Sequence, residues 1–256
     1  MTQKELVEQL TDNKPIDRRQ FIRDAGLTLG LAYLGFNAYQ EVTYDKNEQE
    51  LYDTIDQYVH LITNKSKIKI PTNKKDESQV IDVISSGHGI AKDGLFYTCY
   101  HCANVIEYSR RTMFGTIHLP FEVVEHEVTI NDIAVEGVAE SIEKDVAIFR
   151  LPKHYNLPEI PYRFGNPELG QDIYVTGNPA ARGMNIRKGM VGDMDGFDSE
   201  EHMFGYNVPL IGGDSGTPII SDKFEVVGLS QRVYMGVLGY GVYMKEFQDV
   251  ARSIER

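Results

Sequence analysis

The sequence predicts an all-β fold for residues 79–256, either a β-sandwich or a pair of β-barrels. Two observations predict it. Short runs rich in Val, Ile, Tyr and Phe recur between Gly, Asp, Asn and Pro turns, and no long helices alternate with these runs. A helix from 245 to about 255 is predicted to follow the last run. The eleven predicted strands are 80–85, 95–98, 115–119, 122–130, 133–139, 145–151, 172–176, 189–193, 218–221, 225–230 and 239–244.

The N-terminal segment 1–40 indicates an export signal. The pair Arg18 and Arg19 precedes a mildly apolar, Gly-rich run and resembles the twin-arginine export signal. The run 25–38 is shorter than the roughly 18 to 20 apolar residues that span a bilayer comfortably. Two interpretations stay open, a signal or membrane tether and a buried helix. We expect export to the periplasmic or extracellular face, with cleavage undecided.

Residues 41–78 predict a helical spacer and a linker. Leu51, Ile55, Tyr58 and Ile62 recur at spacings of three and four, which predicts one helix from 47 to about 64. The polar stretch 72–78 then predicts a linker or an exposed loop.

Composition excludes several classes of protein. The chain has 256 residues, a formal net charge of −12 and a pI near 5.0, and a phosphate backbone would repel such a surface, so we expect no nucleic-acid partner. Only two cysteines occur, Cys99 and Cys102, so a scaffold held by many disulfides is excluded.

The strongest chemical signal is the segment from Gly212 to Pro218, which reads Gly-Gly-Asp-Ser-Gly-Thr-Pro. A serine hydroxyl needs a base to take its proton and backbone amides to hold the oxyanion that forms. Glycines around Ser215 let the backbone turn, so that the amides of Gly213 and Ser215 can converge. The segment therefore predicts a nucleophile loop.

This segment resembles the nucleophile loop of the trypsin/chymotrypsin family of serine proteases. The stretch from Thr98 to Cys102 is similar to the segment that carries the family's histidine, and it assigns that role to His101. The family's aspartate is best matched by Asp145, which a charged turn delivers to the start of a buried-looking strand, with Asp132 as the competitor. The resemblance implies a triad of His101, Asp145 and Ser215.

The resemblance also implies the architecture. It predicts two six-stranded antiparallel β-barrels, at about 79–155 and 160–244, followed by a terminal helix at 245–256. Within the second barrel, the segments 175–179 and 188–191 are similar to the Gly-Asn-Pro and Gly-Ile-Val pattern of bacterial Deg-type proteases.

Substrate preference follows from three positions that border the family's specificity pocket. Pro209 lies at the expected floor, where nothing is acidic, so a preference for Lys or Arg is not supported. Gly241 would leave room and Val233 would narrow the entrance, which favours an apolar or small side chain. Two departures raise questions. No matching new N-terminus is visible before residue 79, so Asp214 either has another partner or activation works differently. Thr217 replaces the second glycine of the family, a change expected to leave the oxyanion hole intact but able to crowd the primed side of the cleft.

The sequence thus predicts a serine endopeptidase that acts on polypeptides through an acyl-enzyme, with no cofactor or metal, and it leaves the oligomeric state open. Two alternatives remain. One is a protease-fold binding module without activity. The other is a metal or thiol-redox protein built on Cys99 and Cys102, in which His88 would have to complete a zinc site.

Overall fold

The computed structural model describes residues 46–254, apart from 72–77, 108, 113–114, 179–182, 197–199 and 235–236. The predicted export segment lies outside these residues. In the described part, three α-helices and sixteen β-strands follow one another: α1 (Lys46–Thr54), β1 (Val59–Pro71), β2 (Ser78–Lys92), β3 (Leu95–Cys99), α2 (Tyr100–Ala103), β4 (Ser109–Thr112), β5 (Gly115–His118), β6 (Glu122–Ile130), β7 (Ile133–Ala134), β8 (Glu136–Ser141), β9 (Val146–Arg150), β10 (Arg163–Phe164), β11 (Asp172–Gly177), β12 (Asn185–Asp193), β13 (Met203–Tyr206), β14 (Pro218–Ser221), β15 (Glu225–Tyr234), β16 (Leu238–Tyr243) and α3 (Met244–Arg252).

The predicted spacer helix is shorter than its sequence pattern indicates. Helix α1 is followed by a 3-10 turn at Ile55–Tyr58, and residues 59–71 form strand β1 instead of continuing the helix. Ile62 belongs to both patterns, because it lies four residues after Tyr58 and also starts an alternation of buried and exposed side chains. The prediction of helix for 59–64 was therefore wrong, and β1 joins the first sheet.

The first sheet has seven strands in the order β7-β6-β1-β2-β3-β9-β8. Strand β1 lies inside it, since it pairs antiparallel with β2 from Val59↔Ile90 to Pro71↔Ser78 and with β6 on its other side. Within the described residues no pairing joins β7 to β8, so this sheet is a half-barrel. Strand β9 runs beside β3, and this pairing brings the segment that precedes β9 close to the end of β3.

The second sheet closes on itself. Its order is β10-β15-β14-β11-β12-β13-β16, and a further pairing of β15 with β16 completes a ring of six antiparallel strands. The short strand β10 adds to β15 in parallel outside this ring. The all-β prediction is confirmed, and the structure refines the expected pair of six-stranded barrels to one closed barrel and one half-barrel.

Two apolar clusters hold these sheets together. One fills the closed barrel and includes Phe204 and Val227. The other extends from the first sheet to the C-terminal helix α3, whose Met244 and Phe247 are fully buried. Burying such side chains contributes roughly 1.5 to 3 kcal/mol each. Among the described residues no helix has the length and apolar character needed to cross a membrane.

Candidate active site

Helix α2 presents His101 to the carboxylate of Asp145. The Asp145 Oδ2 atom lies 2.7 Å from His101 Nδ1, and Asp145 Oδ1 accepts a 2.8 Å hydrogen bond from the His101 backbone N–H. The preceding amide, that of Tyr100, donates to the Asp145 carbonyl at 3.0 Å. One aspartate therefore fixes both the main chain and the ring of this histidine.

Asp145 holds this position in an unusual backbone conformation. Its φ is +55°, in the left-handed region that Asp tolerates better than most residues but at some cost. The side chain is 12% exposed and that of His101 is 24% exposed. Asp132, the competing aspartate, lies in the exposed turn between β6 and β7. The structure thus brings Asp145, and not that turn, to His101.

The electrostatic surroundings of His101 favour its charged form. Burial by itself lowers the pKa of this imidazole, but the sulfur of Cys102 and the carboxylate of Asp145 outweigh burial and raise the pKa to about 11. The Nε2 atom, which faces away from Asp145, lies 3.7 Å from Cys102 Sγ. The ring is therefore held between a carboxylate and a sulfur.

The loop that carries Ser215 depends on glycine at two positions. Gly213 has φ of +104° and Gly216 has φ of +80°, values that L side chains rarely adopt. At Gly216 a Cβ would also lie 2.9 Å from Thr98 Oγ1. Within the described residues, neither the Gly213 amide nor the Ser215 amide donates a hydrogen bond to protein, so both are free to bind a ligand oxygen.

Strand β2 fastens this loop to the first sheet. The His88 amide donates to the Ser215 carbonyl at 2.8 Å, and the His88 carbonyl accepts from Thr98 Oγ1 at 2.6 Å. A Cβ added at Gly87 would press on Cys102 and lie 3.1 Å from the Ser215 carbonyl oxygen. Ser215 therefore lies beside the Cys102 and His101 segment. Among the hydrogen bonds of the described residues, none joins Ser215 Oγ to His101.

Asp214, next to Ser215, forms an ion pair with the side chain of Arg187. Its Oδ2 atom accepts a 2.7 Å hydrogen bond from Arg187 of β12 and a 2.8 Å hydrogen bond from the Ile211 amide. The second guanidinium arm of Arg187 donates to the Pro209 carbonyl at 2.7 Å. The Asp214 side chain is only 1% exposed, so this ion pair compensates a carboxylate that is almost completely withdrawn from water.

Thr217 points into the protein. It is fully buried, and its hydroxyl donates to the carbonyls of Thr176 and Asp214. The expectation that Thr217 crowds the cleft was wrong, because the hydroxyl needs buried acceptors and finds them beneath the loop. Thr217 therefore braces the loop from its inner side.

The three expected pocket residues lie on the closed barrel or next to it. Pro209 is exposed, and its carbonyl accepts from Arg187. Val233 is 42% exposed at the outer end of β15. Gly241 is buried in β16, where a Cβ would meet the side chain of Ile219 and lie 3.0 Å from the Leu229 carbonyl. The space beside Gly241 is thus taken by the barrel wall.

The site also holds donor atoms for a metal. Single ligand atoms of Cys99, His101 and Asp145 lie within 4.8 Å of one another. Two of these residues are already hydrogen-bonded to each other through Asp145 Oδ2 and His101 Nδ1. This pairing favours a histidine–carboxylate couple over a metal centre at these residues.

Sequence reasoning missed Arg187 and treated His88 only as a possible zinc ligand. Arg187 precedes the segment 188–191 that resembles the family, but that pattern does not include Arg187, so no local signal predicts its partner. His88 is an unexpected residue beside the small residues Ser86 and Gly87, but its contact with the Ser215 loop depends on how the two sheets meet. Residues that join distant segments are the ones that a local pattern cannot assign.

Comparisons with known proteins agree with this geometry. Residues 85–229, more than half of the chain, match the model of the family described as trypsin-like peptidase domain. Many solved structures match as well. One is the crystal structure of the serine endoprotease from Yersinia pestis, which is 15% identical, with a TM-score of 0.52 over 84% of this chain and 68% of that chain. No curated protein matches this chain in sequence. The match over residues 85–229 and the half-barrel and barrel architecture show that the chain belongs to the family of trypsin-like peptidase domains.

Proposed function

We propose that this chain is a serine endopeptidase in which Ser215 is the nucleophile, His101 the general base and Asp145 the residue that orients it. The observation that carries the proposal is the double hydrogen bond between Asp145 and His101, at 2.7 and 2.8 Å. A carboxylate in this position selects one histidine tautomer and stabilises the imidazolium that forms during reaction.

In the proposed mechanism, His101 Nε2 takes the proton of Ser215 Oγ as the hydroxyl attacks the peptide carbonyl. The free amides of Gly213 and Ser215 then hold the oxyanion of the tetrahedral intermediate. His101 returns the proton to the leaving amine, and water resolves the acyl-enzyme with the same base. The proposed chemistry uses only side chains and backbone groups of this chain, and the proposed substrate is a polypeptide.

The ion pair of Asp214 and Arg187 supports a loop that is ready without proteolytic activation. A buried carboxylate next to the nucleophile needs a cation, and Arg187 supplies one from β12. The guanidinium keeps its charge throughout the pH range in which proteins fold. The loop from Pro209 to Ser215 is therefore held by residues that are part of the chain from the start.

Labelling with a fluorophosphonate probe tests the proposal directly. Purified wild type, with and without prior reduction, is compared with Ser215→Ala and with Ser253→Ala. Ser253 is the matched control, because it is an exposed serine directly after helix α3 whose hydroxyl donates to the Val250 carbonyl. We expect the wild type and Ser253→Ala to be labelled and to release peptides from casein, and Ser215→Ala to do neither. Equal labelling of all three proteins would contradict the assignment of Ser215.

A protease-fold binding module is a second candidate, because the described contacts include no hydrogen bond between Ser215 and His101. It predicts a folded protein that neither reacts with the probe nor cleaves casein after any treatment, while it still binds peptides. The two candidates are separated by the labelling experiment.

We also propose that the enzyme prefers an apolar or small side chain at the cleaved bond, because Pro209 offers no acidic group to bind Lys or Arg.

We further propose that the chain is exported through Arg18 and Arg19, with residues 25–38 as signal or membrane tether. The support is the sequence pattern of this segment. Replacing both arginines by lysine should keep a reporter fused after residue 45 inside the cell. Export of the lysine variant at the wild-type level would contradict the signal.

A further inference from the structure

The sulfur of Cys102 lies beside His101 Nε2, the atom that would accept the proton of Ser215 in the proposed mechanism. In the described contacts, His101 Nε2 has Cys102 Sγ at 3.7 Å and no hydrogen bond to Ser215. Cys102 is only 1% exposed, so it cannot itself attack a polypeptide. Its contact with Nε2 is therefore unproductive for hydrolysis, and it competes with the contact that the proposed function needs.

A second thiol lies next to it. Cys99 precedes α2 and Cys102 is the third residue of that helix, and both are free cysteines in the structure. Both sulfurs lie beside the His101 ring, since Cys102 Sγ is 3.7 Å from Nε2 and Cys99 Sγ lies within 4.8 Å of a ring nitrogen. The contact between the two thiols lowers the pKa of Cys102 and raises the pKa of Cys99. Cys102 is therefore the more acidic thiol of the pair, and the imidazole of His101 at 3.7 Å favours its thiolate form.

We propose that Cys99 and Cys102 form an oxidation site, a dithiol that a hydroperoxide converts to a disulfide, and that the disulfide releases His101 Nε2 for Ser215. The oxidation itself is independent of the proposed function, whereas its effect on hydrolysis depends on that function. The ligand class is a small peroxide, comparable to water in size, which approaches along the 24% exposed side chain of His101.

The chemistry balances in two steps. The Cys102 thiolate attacks one peroxide oxygen, the O–O bond breaks, and a sulfenic acid and hydroxide form. The Cys99 sulfur then attacks the sulfenic sulfur, an S–S bond forms, and the sulfenic oxygen leaves as water with the Cys99 proton. The two sulfurs together lose two electrons, which reduce the peroxide to the level of water.

The consequence for His101 follows from charge. A thiolate beside Nε2 stabilises the imidazolium, which has no lone pair with which to accept the proton of Ser215. A disulfide sulfur carries neither a negative charge nor a proton. Oxidation therefore removes the partner that keeps Nε2 protonated, while Asp145 continues to hold Nδ1 at 2.7 Å. Reduced protein is the slow form and oxidised protein is the fast one.

The space around Cys102 makes this site specific. Gly87 of β2 lies so close that a Cβ there would press on the sulfur, and the same Cβ would lie 3.1 Å from the Ser215 carbonyl. The thiol is thus wedged between the nucleophile loop and the histidine. A change at this sulfur is felt by both catalytic partners.

The experiment compares full-length protein reduced with dithiothreitol and then treated with hydrogen peroxide. Alkylation after denaturation followed by mass spectrometry counts the thiols, and we expect two before oxidation and none after it. Fluorophosphonate labelling should then be at least about tenfold faster, because a neutral base is restored. Histidine signals in NMR titrations should show that oxidation lowers the pKa of His101.

Two cysteine variants sharpen the test. Cys102→Ala lacks the sulfur on Nε2, so it should be labelled as fast as the oxidised wild type and should not respond to peroxide. Cys99→Ala keeps that sulfur, so it should be labelled slowly when reduced, and peroxide should leave a sulfenic acid that dimedone traps. Ser215→Ala should form the disulfide as readily as the wild type.

Some outcomes would overturn the inference and others would overturn only the proposed function. If the disulfide forms but the labelling rate and the pKa of His101 do not change, the inference fails. It also fails if Cys102→Ala is labelled as slowly as reduced wild type, or if native protein never loses its thiols to peroxide. If oxidation lowers the pKa of His101 but no form of the protein is ever labelled, the inference holds and the proposed function fails.

Discussion

The two halves of the site each contain a buried aspartate with a basic partner, and the two pairs differ in kind. In the half-barrel region, Asp145 binds the imidazole of His101, whose side chain is 24% exposed. In the closed barrel, Asp214 binds the guanidinium of Arg187, 2.7 Å away. Imidazole changes its charge at accessible pH values, whereas guanidinium does not. One pair can move a proton, and the other can only hold a loop in place.

This difference assigns separate tasks to the two halves. In the proposed mechanism the first half supplies the base, and the charge state of that base depends on burial, Cys102 and Asp145. The second half supplies the loop that carries Ser215, the proposed nucleophile, and this loop is held by Asp214 and by the His88 amide. Substitutions in the first pair should change reactivity with little loss of stability. Substitutions in the second should change both.

The largest effect is expected for Asp145→Asn. The amide oxygen can still accept from the His101 backbone, but the side-chain NH₂ cannot accept from Nδ1–H, so the wrong tautomer is favoured. In the general Ser-His-Asp template this change lowers kcat about 10⁴-fold, and we expect a loss of that order in casein hydrolysis. The matched control Asp132→Asn, in an exposed turn, should retain wild-type activity. A loss below about tenfold in Asp145→Asn would show that this pair does not orient the base.

The next effect is expected for Arg187→Met, which leaves the Asp214 carboxylate buried and unpaired. Urea denaturation should show a loss of about 3 to 5 kcal/mol in the free energy of unfolding, the cost of breaking a buried pair from one side. Probe labelling of Ser215 should fall as well, because the loop loses its brace. The double variant Arg187→Met with Asp214→Asn removes both charges and should recover part of that stability. An additive loss in the double variant would contradict the ion pair.

The same comparison shows which parts of the site are readable from sequence. His101, Asp145 and Ser215 each stand in a local motif, because the chemistry requires certain neighbours within a few residues. The pairing of Asp145 with His101 follows from the resemblance and is found at 2.7 Å. The ion pair of Asp214 with Arg187 has no local motif, since Arg187 needs only to reach Asp214 across the barrel from β12.

The fold was readable to a similar extent. Strands with strong alternation or dense β-branched residues were predicted near their observed positions, for example 122–130 and 218–221. Strand β1 was missed because Leu51 to Ile62 satisfy the helical period before the alternation begins. Strand β13, Met203–Tyr206, was missed because its four residues include a glycine and no β-branched side chain, unlike the equally short strand at 218–221. The closure of the second sheet and not the first depends on pairing between strands, which a short stretch of sequence does not reveal.

A smaller effect is expected for Thr217→Val, which keeps the shape of the side chain and removes its hydroxyl. The carbonyls of Thr176 and Asp214 then lose a buried donor, at a cost of about 1 to 3 kcal/mol in the free energy of unfolding. Because Thr217 lies under the loop and not in the cleft, the KM for peptides should stay the same. A changed KM with unchanged stability would place Thr217 in the cleft after all.

The smallest effect concerns the pH dependence of the half-barrel. His60 is buried on β1, where its Nε2 lies 2.9 Å from the Pro158 carbonyl and its Nδ1 faces the Asn131 amide. Burial lowers the pKa of His60 below its ordinary value of 6.5. The unfolded chain then binds the proton more tightly than the folded chain, so stability is lost as the pH falls through 6.5. The side chain in His60→Gln can still donate to the Pro158 carbonyl, and it has no proton to gain. Its free energy of unfolding should therefore fall less than that of the wild type between about pH 7.5 and about pH 5.5, roughly one unit on either side of the ordinary histidine pKa. His154→Gln, at an exposed position, should keep the wild-type dependence of the free energy of unfolding on pH. If both substitutions change this dependence equally, burial of His60 on β1 is not its cause.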